Sequence, residues 1–460
     1  MKTRSWLFFA SILLLTALPL TLPESLQLSS AWQGGKQKLS FKPQIAAFVG
    51  VNVVPMDREY VLPGQTVVVK EGQIAAMGPT EKTAVPSGAL RVDGRGRYLL
   101  PGLADLHVHL QADEQDNRAL FDLLLVNGVT TILNLYGTPR HLELRERLRR
   151  GDLLGPVLYT SGPYISNAPG PAPTAEEVER AVVEQKRAGY DFIKIHGDFS
   201  REAYHKLFEV ARHEKIRVIG HAPRNLGIEA LLEERQHAIA HAEEYLYAYF
   251  NKLAQEVDKA SKVPVIAEAT AKAGVWVIPN LTAYKGIWLQ AKDIAPVLKR
   301  PEVRYVPPSI TADWLPERNT YVRRFNNPLS VQRFEQNYRL LEKLVKGFRD
   351  AGVRMLAGTD TPIPSVVPGF SLHDELADLV DAGLTPYEAL RTATAEAAEF
   401  LGVLEQSGTV AVGKRADLIL LEGDPLKDIR NTTKRAGVMV GGHWLSATEL
   451  RRMLERLTLR

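Results

Sequence analysis

Leu100-Pro101-Gly102-Leu103-Ala104-Asp105-Leu106-His107-Val108-His109 is a short apolar run that ends in two histidines. The run opens on Pro-Gly and is too brief for a helix, so it reads as a buried strand. Side chains two apart on a strand point to the same face, which places His107 and His109 together. Two imidazoles on one face of a strand end can reach one metal ion. The 460-residue chain has no cysteine and 11 histidines. Disulfides, thiolate zinc sites, iron–sulfur clusters and a Cys nucleophile are therefore excluded. A metal must be held by His, Asp, Glu or a modified Lys.

Further strands of the same buried type recur along the middle of the chain. After Leu103–His109 they are expected at Thr130–Leu135, Val157–Ser161, Phe192–His196, Val218–His221, Ala238–His241, Trp276–Asn280 and Met355–Asp360. Helical segments separate them. Thr174 with Glu177 forms a capping-box signature, and Pro386 after Thr385 suits a first helical position. Strands alternating with helices in this way predict an α/β fold, a (β/α)8 TIM-like barrel. An open doubly wound sheet is disfavoured, because no Gly-rich phosphate loop follows the first strand. Lys194, His221, His241 and Asp360 each stand at the end of a different expected strand. In a barrel those ends converge on one mouth. Two long connections, Gly162–Pro173 and Tyr284–Leu329, are expected as a surface loop and as either a functional loop or a solvated helical insertion.

Both flanks are β-rich. Thr66–Lys70 and Gln73–Met77 read as a hairpin across Glu71-Gly72, and short strands return at Ala416–Leu421 and Val438–Trp444. The expected layout is a composite β-sandwich from 41–100 and 408–460 around a barrel at 101–407. Residues 1–31 read as a signal peptide: Lys2 and Arg4, an apolar run from Trp6 to Leu22, then a small-residue site at Ser29-Ser30-Ala31. An uncleaved anchor is the alternative, and residues 32–40 read as a linker. An exported, periplasmic or extracellular protein follows, with no stable membrane association once the leader is removed. Lys plus Arg number 57 against 53 Asp plus Glu, a net charge of +4. No nucleic-acid partner is implied by so even a balance. The oligomeric state is left open, a homo-oligomer included.

Leu100–His109, Ala357-Gly358-Thr359-Asp360-Thr361 and Gly413-Lys414-Arg415-Ala416-Asp417-Leu418-Ile419-Leu420-Leu421 are three marker stretches. Through them the chain, over nearly everything after residue 41, resembles the amidohydrolase superfamily, within its imidazolonepropionase-like and prolidase-like branch. The resemblance implies a bent barrel with a small β-sandwich made from both chain ends. It implies two divalent metal ions, with zinc the leading candidate and Mn, Fe or Co sharing the same ligand chemistry. His107, His109 and Asp360 would hold the first ion, His221 and His241 the second, and a carboxylated Lys194 would bridge them. An unmodified Lys194 contacting substrate in a one-metal enzyme is the alternative. The implied activity is hydrolysis of an amide-type C–N bond in a dipeptide, N-acyl amino acid or cyclic amide. A metal-activated hydroxide attacks the carbonyl, and Asp360 carries the proton to the leaving nitrogen.

Competing functions are hydrolysis of esters or lactones, a one-metal deaminase, and an exported binding protein that has lost catalysis. Deaminases of the superfamily carry Glu three residues after the fifth-strand His, where this chain has Arg224. The prolidase-like pattern continues its fourth strand with an Ala-Thr-Gly-Gly type segment, where this chain has His196-Gly197-Asp198-Phe199. His196, Tyr136, Arg224 and Tyr284 are candidate substrate contacts. His373 is expected in a supporting role, and His141, His205, His213, His237 and His443 in none.

Overall fold

The computed structural model describes residues 44–167 and 170–459. The expected leader and linker, 1–40, lie outside them. Among the described residues no helix is long and apolar enough to cross a membrane.

The two chain ends meet in one eight-stranded mixed sheet. Ala46–Val53 pairs antiparallel with Leu62–Lys70, which turns back into Gln73–Pro79. It also pairs in parallel with Leu90–Asp93 and Tyr98–Pro101. Leu418–Leu421 then lies antiparallel to Tyr98–Pro101, followed by Arg435–Val440 and His443–Ser446. Apolar side chains alternate inward along these strands. Phe48 meets Trp444 edge-on at 5.1 Å, so the first and last strands share one core.

Pro101-Gly102 is the hinge from this sheet to the middle of the chain. A Cβ on Gly102 would sit 2.2 Å from Thr130 Oγ1, so no larger residue fits the crossing. Leu103–Val108 continues directly into a parallel sheet with Val129–Asn134 and Val157–Thr160. A second parallel sheet runs Ile165–Ser166, Phe192–His196, Arg217–Gly220, Ala238–Ala240 and Trp276–Ile278. Helices link successive strands, the arrangement that parallel neighbours require. Single parallel bridges extend the pairing: Ser161 to Phe192, Val277 to Met355, and Thr361 back to Val108.

Two expectations are corrected. Met355–Asp360 is not a strand. It is an extended segment pinned on both sides, with Leu356 N donating to Val277 O at 2.9 Å and Leu106 N to Ala357 O at 2.9 Å. Asp360 has a left-handed backbone (φ 64°), which takes the chain out of ladder geometry. The 162–173 connection is not all surface loop, since Ile165–Ser166 pairs with Ile195 and His196. The 284–329 stretch matches the helical one of its two expected readings. It runs on from the helix Leu281–Lys292 through short helical turns that are mostly exposed or half-buried, although Trp314 is buried and Trp288 stacks on Tyr338.

The expected caps form. Thr174 and Glu177 close a capping box on Ala175–Ala188, and Thr385 with Glu388 does so on Pro386–Thr392.

Candidate metal centre and active site

His107 is the fifth residue of Leu103–Val108, and His109 follows the strand end. His107 Nε2 lies 3.1 Å, and His109 Nε2 2.8 Å, from Asp360 Oδ1. Ligand atoms of these three residues all lie within 4.8 Å of one another. His241 Nε2 is 4.0 Å from Asp360 Oδ2. Its ring stands 4.6 Å from that of His107 and 5.0 Å from that of His221. Five of the six residues expected to hold metal thus touch in one continuous group.

Lys194, the sixth, points from the same face of its strand as Phe192 and His196. Phe192 stacks on Phe400 at 5.4 Å and forms an apolar floor below it. Lys194 is buried, and its Nζ has no hydrogen-bond partner. Burial draws its ammonium down to about 8 against the pull of Asp360 and Glu244. Burial likewise holds His107 at about 4, so its imidazole is neutral and has a lone pair to give. Burial alone would raise Asp360. The adjacent His107 imidazole and the hydrogen-bonding contacts with His107 and His109 outweigh it and hold the carboxyl well below its usual range.

Supporting groups fix these side chains. Buried Asp105 accepts from Thr359 Oγ1 at 2.7 Å, Thr359 N at 3.0 Å and His107 N at 3.2 Å. It therefore ties the His107 strand to the segment carrying Asp360. Burial raises its carboxyl to about 7, with those hydrogen bonds opposing. His221 Nδ1 donates to Glu244 Oε1 at 3.0 Å, which leaves Nε2 for a ligand role. His241, Asn280 and Asp360 all have left-handed backbones (φ 73°, 52° and 64°). Backbone strain of this kind concentrates at functional sites.

The substrate candidates divide. His196 lies 4.3 Å, ring to ring, from His221. Tyr136 is exposed at the rim and meets Tyr164 at 4.6 Å. Tyr164 stacks on His196 at 5.6 Å, so the rings run from Tyr136 through Tyr164 to His196 beside His221. Arg224 does not present a free cation. Its Nη2 donates to Glu244 Oε1 at 2.9 Å, and its guanidinium covers Tyr247. Tyr284 is buried, and its hydroxyl accepts from Asn337 at 3.0 Å. His373 bonds to Thr432 and the Asn127 carbonyl, a role in the scaffold. His141 is buried rather than bland, held by Asn134 and the Gln111 carbonyl.

Sequence reasoning gave no role to Asp105, Tyr164, Glu244 or Asn280. Asp105 could have been found, since it is two residues before His107 on the same face. Glu244 follows His241 by three, within one helical turn. Tyr164 was hidden in a stretch that reads as loop.

Gly358 shows how tightly the centre is built. A Cβ there would lie 2.6 Å from Ile278 Cγ2 and 2.9 Å from His107 Cβ. Gly358→Ala is expected to cost about 1–3 kcal/mol by overpacking and to weaken metal uptake by displacing His107. Urea unfolding and metal titration check this, and unchanged values in both would refute the tight approach.

A family model described as the amidohydrolase family matches residues 98–445. The chain belongs to the amidohydrolase family. Among solved structures, this amidohydrolase is similar to the bottromycin amidohydrolase, with 24% identity, a TM-score of 0.72, and coverage of 92% of this chain and 94% of that one. A prolidase-type protein of Bifidobacterium longum shares 24% identity at a TM-score of 0.66, over 90% of this chain and 100% of that chain. At such identities the likeness is one of fold. An adenine deaminase of Paracoccus denitrificans is 30% identical over 142 residues, 29% of this chain. That match spans 23% of the deaminase's own length.

Proposed function

We propose that this amidohydrolase is a metal-dependent hydrolase of amide-type C–N bonds. The observation that carries the reading is the closure of His107, His109, His221, His241 and Asp360 into one group beside Lys194, whose buried amine has no partner. Such a set fits a divalent centre. The imidazoles of His107, His221 and His241 are kept neutral by burial, and Asp360 is kept anionic. An isolated buried ammonium is costly, and carboxylation would turn it into an anion able to bridge two cations. His107, His109 and Asp360 would hold one ion, His221 and His241 the other, with Lys194 between them. Zinc suits this nitrogen and oxygen set. The metal supplies Lewis acidity and a water that deprotonates near neutral pH.

The protein's own groups then do the rest. Asp360 takes the proton of the attacking water and delivers it to the departing nitrogen. Asp105 and Thr359 hold the Asp360 backbone against the His107 strand during that exchange. Tyr136, Tyr164 and His196 line one side of the approach. The substrate is a small amide or peptide, with a dipeptide, N-acyl amino acid or cyclic amide as the leading classes. The same reading closes the eight parallel positions into a (β/α)8 barrel and takes the composite end sheet as its β-sandwich. Deamination is disfavoured because Arg224, salt-bridged to Glu244, stands where the deaminase glutamate would.

A panel of dipeptides, N-acyl amino acids, cyclic amides and esters tests this, run on metal-stripped and zinc-loaded protein. Zinc-dependent release of amine from an amide is expected. Zinc uptake with no turnover of any member would favour a binding protein.

A further inference from the structure

We propose that Asn280 is a positioning residue that keeps the proton of His107 on Nδ1 and so turns the Nε2 lone pair towards the metal centre. This rests on the reading of His107 as a metal ligand. His107 Nδ1 donates to Asn280 Oδ1 at 3.2 Å, with both residues buried to within 1% of full enclosure. The opposite nitrogen, Nε2, is the one facing Asp360. A neutral imidazole has one N–H, so an acceptor at Nδ1 decides which nitrogen is left as the ligand.

The local structure shows that Asn280 is reserved for this contact. It occupies the position before the helix Leu281–Lys292, where an asparagine side chain ordinarily caps the first free N–H groups. Its side chain makes no capping bond. Glu375, from the helix Phe370–Asp381, does that work instead, accepting from Thr282 N at 2.7 Å. The asparagine amide is thereby released to face His107. Its backbone is left-handed (φ 52°, ψ 43°), a conformation asparagine tolerates better than most residues. Its Nδ2 is buried without a partner. A buried amide with half its bonding unsatisfied does not serve stability; its oxygen serves the imidazole.

The test compares wild type, Asn280→Gly and Asn280→Asp, with zinc alone as the probe. Glycine keeps the left-handed backbone and removes the acceptor, whereas aspartate keeps the acceptor. Zinc affinity is measured by chelator competition and stability by melting the metal-free chains. We expect glycine to weaken zinc binding about 10–100-fold, aspartate to bind at least as tightly as wild type, and both to melt near wild type without metal. Wild-type affinity in the glycine variant overturns the proposal. So does equal weakening in both variants, or a collapse of metal-free stability in the glycine variant, because either assigns Asn280 to the fold. A wild-type chain that takes up no zinc refutes the metal reading itself, and the proposal falls with it.

Discussion

Asparagine at position 360 gives a chain that folds normally and turns substrate over about 10²–10⁴-fold more slowly. The substitution is nearly isosteric, and asparagine accepts the left-handed backbone found at Asp360 (φ 64°). The Asp105–Thr359 bonds that position this segment involve neither Asp360 oxygen, so the local fold survives. What is lost is the negative charge that His107, His109 and His241 surround, and with it the ability to take up a proton. A carboxamide oxygen can still contact a cation but is a negligible base. The effect should therefore appear in kcat more than in KM. Steady-state kinetics beside circular dichroism checks it. Near-normal kcat in a folded D360N variant would remove Asp360 from the chemistry.

Lys194→Met should move stability and activity in opposite directions. Methionine fills much of the same volume and leaves no unpaired nitrogen above the Phe192–Phe400 floor. Replacing a buried charge by a well-packed apolar side chain is commonly neutral or stabilising by about 1–4 kcal/mol. The metal-free variant is thus expected to unfold at an equal or higher urea concentration than wild type. On the proposed reading the variant lacks the bridging anion, so metal content per chain is expected to drop and amide hydrolysis to be lost. Elemental analysis, urea unfolding and turnover on one preparation separate these effects. Retained activity with full metal content would eliminate the bridging role. Loss of stability in the metal-free state would show that the Lys194 amine has a structural partner.

The strand ends were legible because the relevant signals are local. Phe192–His196 is bounded as its apolar run suggests, and His221 and His241 stand just past the ends of their strands, whereas Lys194 sits in the middle of its own. The segment before Asp360 misled for a physical reason. Its composition is that of a buried strand, but Gly358 must lie flush against His107 and Asp360 must turn left-handed, and neither demand shows in an apolar pattern. Arg224 shows the complementary limit. An arginine three residues after a site histidine looks available to an anionic substrate, yet Glu244 claims it from the helix Glu243–Ala248 that follows the next strand. Pairings of this kind are set by which strands lie side by side, and no spacing in the sequence records them. Asn280 was hidden likewise, because its role depends on Glu375 relieving it of capping.

The sheet built from both ends also sets an order of assembly. The strand Tyr98–Pro101 feeds straight into the strand carrying His107, and its partner on one side is Leu418–Leu421. Gln44, at the start of the described chain, donates its backbone N–H to the Gly442 carbonyl at 3.0 Å. The last of these pairings joins residues about 400 positions apart, and contacts of long sequence separation are slow to form. During synthesis the first histidine-bearing strand therefore waits beside an open sheet edge until the last strands have been made. The candidate site is therefore expected to mature only after the strands Leu418–Ser446 are made, so a chain that lacks those strands has no firm anchor for the His107 strand.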